Sequence, residues 1–194
     1  MPSQFTSASI WTPANVVTCI RILFIPVFYV LLLFKLPLAA VIIFALLAAT
    51  DWLDGYLARS RNEVTNFGKF MDPIADKLLV LAALLALIEL GSMPSWIALV
   101  IVTREFLVSG LRMLAASEGV VIAASKIGKA KTATTLVALI LFMIKEITFV
   151  VSNPVLFQVI VVLAWILMVI AVILTIYSMY DYFKKSAHLL LEAH

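Results

Sequence analysis

The sequence predicts an all-α integral membrane protein of six transmembrane helices with its chemistry at the cytoplasmic surface, and three observations carry that expectation. Hydrophobic residues make up 64% of the 194 positions and charged residues only 13%, where an ordinary soluble domain has roughly 25% charged. Six stretches reach the ~20 residues that an apolar helix needs to cross the hydrocarbon once polar interruptions are allowed. Lysines and arginines gather in alternate loops, the pattern that orients a chain in a membrane.

The elements follow in order. The first stretch, 14–34, opens on Thr12-Pro13, a capping residue followed by proline at the first helical position. The residues before it carry no basic charge and include Pro2 and Pro13, so the first helix is expected to be retained, not cleaved as a leader. Lys35-Leu36-Pro37 separates it from the second stretch, 37–59, and the polar run Ser60–Asn66 leads to the third, 67–90. Gly91-Ser92-Met93-Pro94 precedes the fourth, 94–116, the segment Ser117–Lys126 precedes the fifth, 127–150, and Ser152-Asn153-Pro154 precedes the sixth, 154–182. These breakers interrupt the helical ladder where apolar periodicity stops. One membrane-embedded domain, 1–194, is expected, with 1–13 as a juxtamembrane segment and 183–194 as a tail.

An even helix count puts both termini on one side of the membrane. Arg59, Arg61, Lys69, Lys126, Lys129, Lys131, Lys184 and Lys185 flank the loops after the second and fourth helices and the C-terminal tail, while the opposite loops offer Lys35 and Lys145. The asymmetry places the termini and the charged loops in the cytoplasm of a multi-pass cell-membrane protein. The net charge of +3 does not point to nucleic acid, because the basic residues lie between hydrophobic stretches and form no polar stripe. A single cysteine, Cys19, forms no internal disulfide, and no Cys/His spacing suggests zinc.

Against this apolar background four carboxylates stand out. Asp51 and Asp54 are three residues apart at the end of the second helix, and Asp72 and Asp76 are four apart near the start of the third. Each pair therefore projects from nearly one helix face. Pro73 between the second pair means that the third helix either begins close to Asp72 or bends there. An ionised carboxylate costs roughly 2.5–3.5 kcal/mol at mid-membrane, so an unpaired cluster would lose about 10 kcal/mol. Lys77 and Arg59 can pair with some of it, and a structural ion-pair network is the plainer reading. Asp51 and Asp54 also meet the negative end of a helix dipole, a conflict that a bound cation relieves. All-oxygen ligation without Cys or His selects a hard ion, Mg²⁺ or Mn²⁺. Gly55 and Gly68 allow close approach of a ligand to the backbone, Ala58 keeps that face small, and Arg59 can reach a phosphate.

The pattern D-x2-D-G-x2-A-R-x8-G-x3-D-x3-D, filled by Asp51, Asp54, Gly55, Ala58, Arg59, Gly68, Asp72 and Asp76, resembles the signature of the CDP-alcohol phosphotransferase family. The resemblance implies the family's six-helix fold, one or two Mg²⁺ or Mn²⁺ ions held by Asp51, Asp54 and Asp72, and Asp76 both close to the metal and acting as general base. It implies that Gly55 and Arg59 contact the CDP part of the donor, CDP-diacylglycerol, with Ala58 and Gly68 lining the same site and Thr65 doing likewise. Asn15, Thr18 and Arg21 match an N-x2-T-x2-R stretch that family members carry at the opening of the first helix. That match implies a place beside the nucleotide for Asn15 and Thr18, while Arg21 is also assigned to the acceptor's phosphate. A homodimer is implied as well.

The second half bears on the acceptor. Thr103–Arg112 and Ser125–Thr132 resemble the branch of the family whose acceptor is glycerol 3-phosphate. Physical argument agrees, since Arg104 and Arg112 are eight residues apart, about two turns and ~80° of rotation, and share a broad face inside an apolar stretch. Lys126, Lys129 and Lys131 crowd a helix start, where an anion would relieve the dipole conflict. Salt bridging, with Glu105 in part, and cytoplasmic anchoring are the plainer readings of these residues. The expected reaction is phosphatidyl transfer to glycerol 3-phosphate with release of CMP. Another acceptor (inositol phosphate, serine or phosphatidylglycerol) would keep the carboxylates and change the basic pocket. A divalent-cation transporter, the alternative of another class, should continue its polar pathway across the membrane, whereas these acids gather at one face.

Overall fold

A computed structural model describes residues 12–60, 66–117 and 126–191. Its elements are helices: α1 (Pro13–Leu33), α2 (Pro37–Ser60), α3 (Asn66–Glu89), α4 (Ser95–Ser117), α5 (Lys126–Ile144), the single turn α6 (Thr148–Val151) and α7 (Pro154–Leu191). They fall into two compact units, divided between Ala83 and Leu84 within α3.

The helix ends follow from local chemistry. The Thr12 hydroxyl accepts from the Asn15 backbone N–H at 3.3 Å, with Pro13 at the first helical position. At the other end of α1, Lys35 N–H donates to Leu32 C=O and Leu36 N–H to Leu31 C=O, with Lys35 at a φ of 57°. This is the closing pair of a Schellman motif, carried by a lysine where glycine is usual. α3 ends in the same way on Gly91, whose φ of 68° costs a glycine nothing.

In the first unit α1 packs on α2, with Phe28 and Phe44 tilted against each other at 5.3 Å between centroids. Thr18, Arg21, Ile25, Phe28 and Leu32 recur at three- and four-residue steps, and all are buried on one face of α1. Ile20, Leu23, Phe24, Val27 and Val30 lie exposed on the other side, a surface suited to hydrocarbon. The second unit repeats the device. α7 packs on α4 and α5 and buries Ala164, Met168, Ala171, Thr175, Ser178 and Tyr182 along a seam of seven-residue period. α5 buries Lys131, Thr135, Ala138 and Phe142 on the same spacing. In α1, α5 and α7 alike, one half of the buried seam is apolar and the other polar.

Among the described residues, Asn15–Leu33, Ile127–Ile144 and Pro154–Lys184 are long and apolar enough to cross a membrane, and Pro37–Thr50 forms a shorter apolar segment. Two boundaries differ from the sequence expectation, and a third is one that the sequence leaves open. The fifth stretch does not run to 150: α5 closes at Ile144 through tightened Glu146-to-Met143 and Ile147-to-Ile144 bonds, and Ile147 turns extended before α6. Glu146 is held there by Lys145 at 2.9 Å and by the Ser92 hydroxyl at 2.7 Å. The expected tail continues as helix to Leu191, because nothing after Pro154 is a glycine or proline that would break the ladder. α3 begins at Asn66, one residue from the expected start, and runs through Pro73, so of the two alternatives left by that proline a start at Asp72 is excluded.

The two faces of α1 make different demands. Phe28→Ala should destabilise the protein by roughly 2 kcal/mol, less than in an aqueous core because lipid solvates the ring once the helices separate. Leu23→Ala, at a position 70% exposed, should change stability by less than about 0.5 kcal/mol. Unfolding midpoints in detergent check both, and equal losses would contradict the assignment of the faces.

Candidate active site

The polar half of the α1 seam carries the first cluster. Asn15, Thr18 and Arg21 are buried there at 4%, 1% and 1% exposure. The Thr18 hydroxyl donates to Asp72 Oδ1 at 2.8 Å, joining the start of α1 to α3 across 54 residues of sequence. Arg21 Nε donates to the Thr50 hydroxyl at 3.3 Å, and that hydroxyl donates in turn to Leu47 C=O at 2.7 Å. Thr50 is the residue immediately before Asp51. An arginine buried beside α2 thus sits one residue from the carboxylate pair that the signature names.

Asp72 and Asp76 are both half-buried on α3, one helical turn apart. Lys77 donates to Pro73 C=O at 3.0 Å, so its ammonium is engaged with backbone. Gly68 is buried. Asp51, Asp54, Gly55, Ala58 and Arg59 lie on the last turns of α2, where the backbone is helical but the side chains fall outside the described residues. Thr65 is outside them entirely, and Lys126 is described only as the first residue of α5. Among the described residues there is no group of three or more metal-ligating side chains, since two of the four aspartates lie outside that set. The donor chemistry that remains, oxygen-only and anionic, fits a hard divalent ion.

The second cluster belongs to the second unit. Arg104 is buried, pairs with Glu105 at 2.9 Å, and donates from Nε to the Ser178 hydroxyl at 3.1 Å. Lys131, 3% exposed, pairs with the same Glu105 carboxylate. One acid therefore serves two buried cations, on α4 and α5. Arg112 is more exposed and bonds the Tyr182 hydroxyl. Lys129 is exposed at the start of α5.

The structure thus brings Thr18 to Asp72 and Arg21 to Thr50 in the first unit, and Arg104 and Lys131 to Glu105 in the second. Arg21, assigned from sequence to the acceptor's phosphate, belongs to the first unit with the aspartates. Thr50, Ser178 and Tyr182 were not anticipated. A signal for the last two was present: Thr175, Ser178 and Tyr182 interrupt an otherwise apolar seven-residue seam, and buried polar groups on such a seam need partners.

A family model described as CDP-alcohol phosphatidyltransferase matches residues 11–177, a span that runs through both units. The chain is 39% identical over 188 residues to the CDP-diacylglycerol–glycerol-3-phosphate 3-phosphatidyltransferase of Bacillus subtilis, covering 89% of this chain and 93% of that protein. It is 40% identical over 184 residues to the protein of the same name from Pseudomonas fluorescens, covering 89% and 88%. A probable phosphatidylglycerophosphate synthase of Mycobacterium tuberculosis is 37% identical over 179 residues, covering 89% and 80%. With the aspartate signature complete and likeness sustained along the chain, this protein belongs to the CDP-alcohol phosphatidyltransferase family.

Proposed function

We propose that this enzyme transfers the phosphatidyl group of CDP-diacylglycerol to sn-glycerol 3-phosphate, forming phosphatidylglycerophosphate and releasing CMP. The observation that carries the reading is the likeness, at 37–40% identity over 89% of the chain, to proteins named for this one reaction. The two polar clusters give it a chemical form. Anionic oxygen donors on α2 and α3 suit the donor's diphosphate with its ion, and a buried basic set on α4 and α5 suits an acceptor that carries a phosphate.

In this reading Asp76 accepts the proton of the acceptor hydroxyl as its oxygen attacks the phosphorus nearest the diacylglycerol. The bond from that phosphorus to the CMP oxygen breaks, and CMP leaves with the pair. One or two Mg²⁺ or Mn²⁺ ions held by Asp51, Asp54 and Asp72, with Asp76 close, would neutralise the diphosphate. Thr18 orients Asp72 through its hydrogen bond, and Asn15, Gly55, Ala58, Arg59, Thr65 and Gly68 line the nucleotide. Arg21, Arg104, Arg112, Lys126, Lys129 and Lys131 are assigned to the acceptor's phosphate. The chain needs no covalent intermediate, since its sequence holds no Ser-His or Cys-His arrangement for one.

We further infer a multi-pass cell-membrane protein of six spans, acting as one catalytic domain and as a homodimer, with termini and site in the cytoplasm. The alternate-loop distribution of lysine and arginine supports the orientation. Such a site meets a lipid donor at the interface and a soluble acceptor from water.

Purified protein given CDP-diacylglycerol, Mg²⁺ or Mn²⁺ and a panel of alcohols should release CMP most efficiently with glycerol 3-phosphate. Preference for inositol phosphate would reject the acceptor, and no CMP with any alcohol would reject the reaction. Asp76→Asn should cut turnover by about 10²–10⁴-fold while largely sparing donor binding, and near-normal turnover would remove Asp76 as the base. Thr18→Val should weaken Mn²⁺ binding about tenfold or more, with Thr18→Ser close to the parent, as expected when the partner of a metal-bound carboxylate is lost. Titration of Mn²⁺ by electron paramagnetic resonance reads this without turnover, and an unchanged affinity would dissociate Thr18 from the metal.

A further inference from the structure

Tyr182 is 2% exposed on the polar half of the α7 seam, and it lies beyond residue 177, where the family match ends. Its ring is shared by two arginines of α4. The Arg104 guanidinium carbon stands 5.5 Å from the ring centroid and that of Arg112 stands 5.1 Å from it, both within the ~6 Å range of cation–π attraction. Arg112 also donates from Nη2 to the Tyr182 hydroxyl. One helical turn earlier on the same face of α7, Ser178 accepts from Arg104 Nε at 3.1 Å and donates to Thr175 C=O at 3.1 Å.

Arg104 is buried and Arg112 exposed, and two guanidiniums against one ring repel each other, so Arg112 would swing away toward water if nothing fixed it. Tyr182 opposes this twice, through the electron-rich face of its ring and through its hydroxyl. Of the two arginines, Glu105 pairs with Arg104, through Nη1. Among the described residues, Nη2 of Arg104 and the Nε and Nη1 groups of Arg112 donate to no partner. Both arginines therefore keep donors in reserve while their positions are set from α7. A phosphate accepts several such donors at once.

We propose that Tyr182 is a positioning residue for the acceptor: it sets the spacing of Arg104 and Arg112 so that together they bind the acceptor's phosphate. This rests on the assignment of those arginines above. Because Tyr182 would act through Arg104 and Arg112, its effect falls on acceptor affinity and not on the chemical step. The phenol hydroxyl fixes Arg112, and the ring holds both arginines.

The test uses the full-length enzyme in lipid nanodiscs, comparing the parent with Tyr182→Phe and Tyr182→Leu. The parent's CMP release with glycerol 3-phosphate is measured first; its absence would overturn the acceptor assignment, and this proposal with it. With an active parent, Tyr182→Phe should raise KM for glycerol 3-phosphate about tenfold, the loss expected from one hydrogen bond to a charged group. Tyr182→Leu, which also removes the ring, should raise it about a further fivefold. In both variants kcat and KM for CDP-diacylglycerol should stay within about twofold of the parent, a split that general loosening of the fold would not produce. An unchanged acceptor KM in both variants, or a fall in kcat with a parallel rise of both KM values, would overturn the proposal while leaving the proposed reaction standing.

Discussion

Charge in an apolar setting must be answered by a partner, and this constraint shapes both units of the protein. With 64% hydrophobic residues, most of the surface is suited to lipid, and a buried guanidinium or ammonium left alone would cost several kcal/mol. The chain meets the demand by dividing helix seams into halves. Along α1 the apolar positions Ile25, Phe28 and Leu32 give way to Thr18 and Arg21, and along α7 Ala164, Met168 and Ala171 give way to Thr175, Ser178 and Tyr182. Apolar halves pack by shape and polar halves pair by hydrogen bonds, so each seam is both an interhelical contact and the wall of a polar cluster.

The partners chosen differ between the units, and the difference is chemical. In the first unit a hydroxyl meets a carboxylate, Thr18 with Asp72, and an arginine meets a hydroxyl, Arg21 with Thr50. Neutral hydroxyls orient a charged group without cancelling it. In the second unit one carboxylate, Glu105, serves both Arg104 and Lys131, while Arg112 is met by a neutral phenol. That economy leaves the cluster predominantly basic. The proposed reaction, with an anionic donor met through a cation and an anionic acceptor met by arginines, would call for such opposite surroundings.

Much of this was legible in the residues. The helix boundaries at Thr12-Pro13, Lys35-Leu36-Pro37 and Gly91 follow from capping and breaking chemistry that acts over a few residues, and they stand where the sequence places them. The closing of α5 at Ile144 was missed because apolar residues resume at Ile147 after Lys145 and Glu146, and the contact that meets Glu146 there comes from Ser92, 54 residues away. Pro73 left two possibilities for α3 because proline forbids one hydrogen bond without saying whether the turn before it is helical. The pairing of Glu105 with Arg104 was within reach of a local argument, while its pairing with Lys131 joins two helices.

By itself the sequence determined the all-α, membrane-associated class, the family, and the aspartate signature, because composition, helix-ending chemistry and fixed local spacing are properties of neighbouring residues. Only the tertiary structure decided which polar groups answer one another: Thr18 with Asp72, Arg21 with Thr50, and Tyr182 with two arginines at once. Those choices depend on which helix faces meet. A helical pattern tells which face is buried and leaves open what lies opposite it.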